Sequence, residues 1–466
     1  MNHMKKLIPL LLLICSLSLR AEDYRRYFDT LPFDMDVLEA PEFPERRLSV
    51  KELGAAGDGI HLDTRAIQDA IDSISRAGGG HVDIPAGIFL TGPIELKSYV
   101  DLHLDRNALV VFSTDKSLYP RRRYPYENGS GRYLSPVTAY EAEHFSISGE
   151  GVMDGNGEVW RPVKRGKVSD TEWQGFTATG GTVSEDGSLW YPWPVRTDKD
   201  GISPAASPED LATGRPVMIR LMYCRNFLLE GVTVQNSPRF HVHLIRCDSF
   251  ILYGIHIRCP WNAQNGDGID LGSSTNALVV NCTVDVGDDA ICLKSSSGLP
   301  THNVIVDGCT VFHGHGGFVI GSETSGGVNH VCVRRCRFLD TDTGLRFKSL
   351  RGKGGVVSEV YVEDIFMQDI ANYAIWFDSF YQQATDAEPA PVTPLTPYFR
   401  DVRIRRILCR EARKAMFFNG LPEAEIEDIT VEDSIIDAIE GATLRHACGL
   451  HLERLTMHIA EGPEYD

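Results

Sequence analysis

The sequence predicts an all-β protein, a right-handed parallel β-helix (solenoid) with a short N-terminal capping helix. Three observations carry this prediction: a unit of a few short strands recurs along the chain, its clear copies start 23 to 29 residues apart, and small apolar residues return at the same place in each. The copies are NFLLEGVTV from Asn226, SFILYGIHI from Ser249, NALVVNCTV from Asn276, NVIVDGCTV from Asn303 and HVCVRRCRF from His330. Weaker ones start at Glu359, Asp401 and Ala424, and the longer step between the first two of these holds a proline-rich insert, AEPAPVTPLTP. A unit this small cannot bury its own core, so the units must stack, one coil per repeat and about 4.8 Å apart. Leucine-rich repeats share the period, but neither their leucine consensus nor a helix per unit is evident.

In chain order, residues 1–21 combine Lys5 and Lys6 with an apolar run from Leu7 to Leu19 and a small residue, Ala21. This pattern predicts a cleavable signal peptide, hence an exported protein, periplasmic or extracellular. Bulky Ile14 before Cys15 argues against a lipoprotein site. No later run reaches the roughly 20 apolar residues of a spanning helix. Residues 22–466 are expected to form one β-helix domain. Within it, 22–47 is a polar, proline-containing extended lead-in, and 48–80 is an N-terminal cap. In that cap Ala66, Ile67, Ala70, Ile71 and Ile74 share one helical face, and Gly78, Gly79 and Gly80 end the helix. An amphipathic helix before a long run of strands suits the open end of a stack. Residues 159–216 break the repeat as an irregular insert with Trp160, Trp173, Trp190 and Trp193, four of the six tryptophans.

A net charge of −18 argues against nucleic acid or an anionic membrane surface as partner, since both need a basic footprint. It leaves room for a small polyanion bound by a local Arg/Lys cluster. Of eleven cysteines, Cys282, Cys309 and Cys336 stand 27 apart, and Cys224 and Cys247 stand 23 apart in matching contexts. That register fits an inward column of free, buried thiols better than bridges.

The stretch from Asn265 to Lys294 concentrates the chemistry: Asp267, Asp288 and Asp289, with Asp270 close by, among strand-like alternation and glycine turns. Crowded carboxylates disfavour joint ionisation, which suits acid/base work. The same residues also suit a calcium loop or a solvated turn, and on composition alone the readings stand level. The repeat adds neighbours. Asp267, Asp289, His315, Arg346 with Lys348, and Tyr381 follow at 22, 26, 31 and 33 residues, close to one coil each, and so could line one face. Arg346 and Lys348, two apart on a strand, point the same way, with Phe347 turned inward. Five coils would make a groove of about 19 Å, enough for several sugar units.

Four tripeptide-scale motifs in order, on such a repeat, resemble those of glycoside hydrolase family 28, the polygalacturonase-like β-helix enzymes. They are Asn265-Gly266-Asp267, Asp288-Asp289, Gly314-His315-Gly316 and Arg346-Phe347-Lys348, preceded by Asn236-Ser237-Pro238. Gly266 stands where the family commonly has Thr and Phe347 where it has Ile; neither replaced residue performs the chemistry, so only substrate preference is affected. The resemblance implies hydrolysis of a pectic polysaccharide or oligosaccharide with inversion, without a cofactor or metal. Asp288 would be the general acid, Asp267 and Asp289 would activate water, and His315 would orient or tune the acid. Arg346, Lys348, Tyr381 and Asn265 would bind substrate, the two cations by holding a uronate carboxylate. Crowding is expected to raise the proton affinity of one carboxyl, Asp288, and to leave its neighbours ionised. If the 159–216 insert folds over one end of the groove, only a chain terminus would fit, and attack would be of the exo type. Two rivals remain: a calcium-dependent β-helix pectate lyase, and a non-catalytic carbohydrate-binding β-helix. The lyase would not need the Gly-His-Gly and Arg-x-Lys motifs. Oligomeric state is left open.

Overall fold

A computed structural model describes residues 24–124, 131–192, 214–296, 298–384 and 388–466. The expected signal peptide and residues 193–213 of the insert, Trp193 among them, lie outside these. The described chain winds into the expected parallel β-helix, with 31 strands hydrogen-bonded into one continuous sheet. The face that carries the expected site residues is a parallel column of seven strands: β1 (Val137–Tyr140), β2 (Ile219–Met222), β3 (Val242–Ile245), β4 (Ile269–Gly272), β5 (Asp289–Ser295), β6 (Gly316–Thr324) and β7 (Thr343–Lys348). Each pairs with the next in register, so Ile219, Val242, Ile269, Ile291, Phe318 and Leu345 stack inward. The next residue of each strand, from Arg220 through His243, Asp270, Cys292 and Val319 to Arg346, forms the alternate column.

The residue that opens each repeat has a structural reason. Asn226, Ser249, Asn276, Asn303, His330, Glu359 and Asp401 all adopt left-handed backbone, with φ between 49° and 56°. They are the corners where one sheet turns into the next, and Asn and Asp tolerate that conformation better than most residues. Their side chains also form a ladder: the Asn303 amide donates to Asn276 Oδ1 at 2.9 Å, and Asn276 donates to Asp248 at 2.7 Å. The weak copy expected from Ala424 falls in register four residues later, at Asp428 (φ 54°), because Val402 pairs with Ile429. One more coil, Ala447–Ile459, follows it.

Helix α1 (Thr64–Arg76) buries Ala66, Ile67, Ala70, Ile71 and Ile74, the five residues expected on its apolar face, against the first coil. One apolar cluster runs from Val50 to Met457. All ten described cysteines are free and nine are buried, Cys448 being the exposed one. The lead-in is more than extended. Tyr24, Tyr27 and Leu38 seal a second apolar cluster with Leu228, Ile251, Leu278 and Ile305 on the outer wall, and Phe33 stacks on His330. The Arg334 guanidinium anchors it through the Tyr27 carbonyl at 2.7 Å.

Candidate active site

Turns leading into β4, β5 and β6 bring the expected residues together. Asp267 lies just before β4, Asp288 immediately precedes β5 and Asp289 opens it, and His315 immediately precedes β6, where Gly316 pairs with Asp289. Two glycines are required by close approach. A Cβ on Gly287 would collide with the Trp261 carbonyl oxygen, and one on Gly316 would press on Val319 and Arg346.

The three carboxylates are wired differently. Asp288 is the most exposed, its side chain 19% accessible against 5% for Asp267 and 4% for Asp289. Its Oδ1 meets both His315 Nδ1 and the Asp289 N–H at 3.0 Å. Both contacts fall on one oxygen, which leaves Oδ2 to carry a transferable proton. Asp289 is gripped by two cations, Arg346 at 2.8 Å on Oδ1 and Lys348 at 2.6 Å on Oδ2. Lys294 bridges Asp267, at 3.2 Å, and Asp270. Asp267 Oδ1 and Asp270 Oδ2 are buried and have no hydrogen-bond partner among the described residues.

This wiring sets the proton affinities. Burial pushes the Asp267 carboxyl well above its ordinary range, Asp270 adds to the push, and Lys294 opposes it. Burial likewise raises Asp270, to about 6, against Lys294. At Asp288 burial also acts upward, but the His315 hydrogen bond and nearby charge outweigh it, and the group is held below the usual carboxylate range. At Asp289 burial is overcome by Lys348 and Arg346, and the carboxylate is held well below that range. The sequence expectation puts the raised affinity on Asp288; in the structure Asp267 and Asp270 carry it, because Asp288 has a donor on Oδ1 and they have buried oxygens without one.

The residues expected to bind substrate fall at the same place with partners of their own. Arg346 and Lys348 are spent first on Asp289, so they hold the carboxylate ionised as well as facing the groove. The Tyr381 ring lies 4.9 Å from Lys348 Nζ and 5.7 Å from the Arg346 guanidinium. Trp376, which sequence reasoning passed over, lies closer to Arg346, at 4.7 Å. It pairs with Arg346 in the next coil, so the repeat spacing was a signal for it. Exposed Asn265 is tied through its Oδ1 to Arg215 at 3.0 Å. Lys294, which closes the aspartate-bearing stretch, is the counter-ion of Asp267 and Asp270. Donor atoms of Asp288, Asp289 and His315 lie within 4.8 Å of one another, close enough to share a cation, but both Asp289 oxygens already face bound side-chain cations.

The insert reaches this rim. Arg161 donates to the Ser237 carbonyl at 2.6 Å and to Asn236 at 2.8 Å, and Lys167 contacts the Gly287 carbonyl and His315 Nε2, both at 3.1 Å. Its aromatic residues pack partly within the insert and partly on the chain before it. Buried Trp160 meets Tyr119 and Tyr133, and Trp190 meets Phe176 and donates to Gly180. The described part therefore forms a wall along the groove, where sequence reasoning considered a lid over one end.

The model of the family described as glycosyl hydrolases family 28 matches residues 164–448, more than half of the chain, and one described as rhamnogalacturonase A/epimerase, pectate lyase-like, matches residues 47–124. An exo-poly-alpha-D-galacturonosidase of Dickeya chrysanthemi is 29% identical over 350 residues, 70% of this chain and 56% of that protein's length. An endo-polygalacturonase of Pectobacterium parmentieri is also 29% identical, over 73% of this chain and 77% of its own. The crystal structure of an exopolygalacturonase from Thermotoga maritima superposes with a TM-score of 0.74 at 26% identity, covering 94% of this chain and 96% of the other. The chain belongs to glycoside hydrolase family 28.

Proposed function

We propose that this glycoside hydrolase cleaves a galacturonan-type pectic polysaccharide or oligosaccharide from a chain end, with inversion. The observation that carries the reading is the constellation at the start of β5: an accessible carboxyl, Asp288, whose Oδ1 meets His315, beside a carboxylate, Asp289, held ionised between Arg346 and Lys348. Asp288 delivers a proton from Oδ2 to the glycosidic oxygen as the C–O bond breaks. Asp289, with Asp267, takes the proton of the water that attacks the other face of the sugar. An acidic substrate supplies what the free protein lacks, since a uronate carboxylate near Asp288 raises its proton affinity and favours the acid form. Arg346, Lys348 and the aromatic side chains of Trp376 and Tyr381 offer that carboxylate and its sugar ring a matching surface. The same-level identity to exo- and endo-acting relatives leaves the mode of attack to the groove's shape.

No helix among the described residues is long and apolar enough to cross a membrane, and the leader read in residues 1–21 supports export. The test is digestion of homogalacturonan with chelator present, following reducing ends and ultraviolet absorbance. New reducing ends without absorbance, and an inverted anomer in the first product by proton NMR, support the reading. Chelator-sensitive absorbance would replace it with a lyase, and binding without either signal with a carbohydrate-binding protein.

A further inference from the structure

Lys167 belongs to a short 3-10 turn in the insert, Arg165–Lys167, 148 residues before the histidine it touches. Its ammonium lies 3.1 Å from His315 Nε2 and is fixed there by the Gly287 carbonyl, also at 3.1 Å. An ammonium can only donate, so His315 Nε2 must present its lone pair, and the ring proton must sit on Nδ1, opposite Asp288 Oδ1. We propose that Lys167 is a positioning residue for the acid: it locks His315 in the neutral Nδ1–H tautomer, so that the proton the pair shares resides on Asp288 when substrate is bound. This rests on the reading of Asp288 as the general acid.

The surroundings show why a lock is needed. His315 Nε2 is also 3.8 Å from Asp342 Oδ2. Without Lys167 the ring would stand between two carboxylates, Asp288 and Asp342, which favours an imidazolium and strips Asp288 of its proton. With Lys167 in place, a proton on Nε2 would face an ammonium. The other charges nearby are Lys164, beside Lys167, and Asp289 and Lys348, beside Asp288. None of them touches Nε2 in place of Lys167. Burial lowers the Lys167 proton affinity, Lys164 adds to the fall, and Asp288 and Asp342 oppose it.

Lys167→Met removes the donor and its charge, whereas Lys167→Arg keeps both. In the methionine variant kcat on oligogalacturonate should fall roughly tenfold or more with KM within about twofold, because a general acid contributes about 10²- to 10⁴-fold and only its occupancy is altered. Losing a positive charge raises the proton affinity of the Asp288–His315 pair, so the alkaline limb of the kcat/KM profile should move to higher pH. A loss of packing alone would not move that limb, and the arginine variant should restore both quantities. In a His315→Asn background, Lys167→Met should move the limb clearly less, because only the direct charge effect on Asp288 remains. Unchanged kcat and limb in Lys167→Met would overturn the proposal while leaving the hydrolase reading intact; absence of hydrolysis by the wild type would overturn that reading instead. A readout independent of turnover is nitrogen-15 NMR of histidine-labelled wild type: an unprotonated Nε2 on His315 is expected, and a protonated one rules the lock out.

Discussion

Asp288 differs from its neighbours in having one oxygen committed and one available, and this decides how a change there should behave. Asp288→Asn keeps the shape and removes the transferable proton, so kcat should drop by at least about 10²-fold with substrate binding retained, as measured by turnover and by calorimetry with oligogalacturonate. Lys348→Ala is a different experiment from the one sequence alone suggests. Because Lys348 neutralises buried Asp289 at 2.6 Å, its loss should lower kcat as well as raise KM, whereas methyl esterification of the substrate should act mainly on KM. If ester and acid substrates give equal KM, Arg346 and Lys348 serve Asp289 alone. The Asp270 carboxyl sits at about 6 in the fold, above the 3.8 of an ordinary aspartate. The folded state then binds more protons than the unfolded one between these values, so this group's contribution is complete below about pH 4 and is lost as pH rises through 6. Asp270→Asn should therefore gain on the wild type between pH 4 and 7, by no more than about 3 kcal/mol, in paired denaturation curves. A constant difference across that range would contradict the assignment. The carboxylates themselves were legible in the sequence as a cluster. Their unequal proton affinities were not, because those depend on which oxygen each donor reaches.

At the scale of the element, the coil corner is the unit of design, and the repeat could be read from sequence because corners and inward columns demand the same residue types each time. Asn303 shows how much rests on a corner. It holds φ at 56°, donates to Asn276 and meets His330 Nδ1 at 3.1 Å. Asn303→Val places a β-branched side chain in the left-handed region and breaks the ladder, which should cost about 2 kcal/mol in denaturant unfolding. Asn303→Gly keeps the backbone and should lose clearly less; equal losses would mean the ladder, not the conformation, matters. What sequence did not disclose at this scale was long-range docking. In the lead-in Tyr24, Tyr27, Phe33 and Leu38 stand at irregular spacing among charged residues, so nothing local said that these apolar residues would dock on the outer wall. The insert has no period at all, and Lys167 is one lysine among many until the fold carries it to His315.

The whole molecule decides where a polymer can lie. The described part of the insert flanks the groove from Asn236 to His315, three coil steps or about 14 Å, and so walls one side. The restriction on length comes from the N-terminal side, where the hairpin pairing Arg121–Arg122 with Arg132–Tyr133 stands before β2. Arg132 there shares a cavity of about 330 Å³ with Arg220, Arg239, Phe240, His243 and Lys294, on a protein whose net charge is −18. Glu323 lines it too, but its four cations predominate, and a pocket of that volume and charge beside Asp267 and Asp270 suits an acidic sugar unit at the end of a galacturonate chain. Products should therefore come off the end: one small saccharide accumulating while the viscosity of polygalacturonate stays high. Early viscosity loss with a ladder of mixed oligosaccharides would refute this. The two structural devices should separate under mutation. Shortening the 121–133 hairpin opens the pocket and should shift products toward internal cleavage at comparable turnover. Deleting the insert removes Lys167 from His315 and should depress turnover without moving the product pattern.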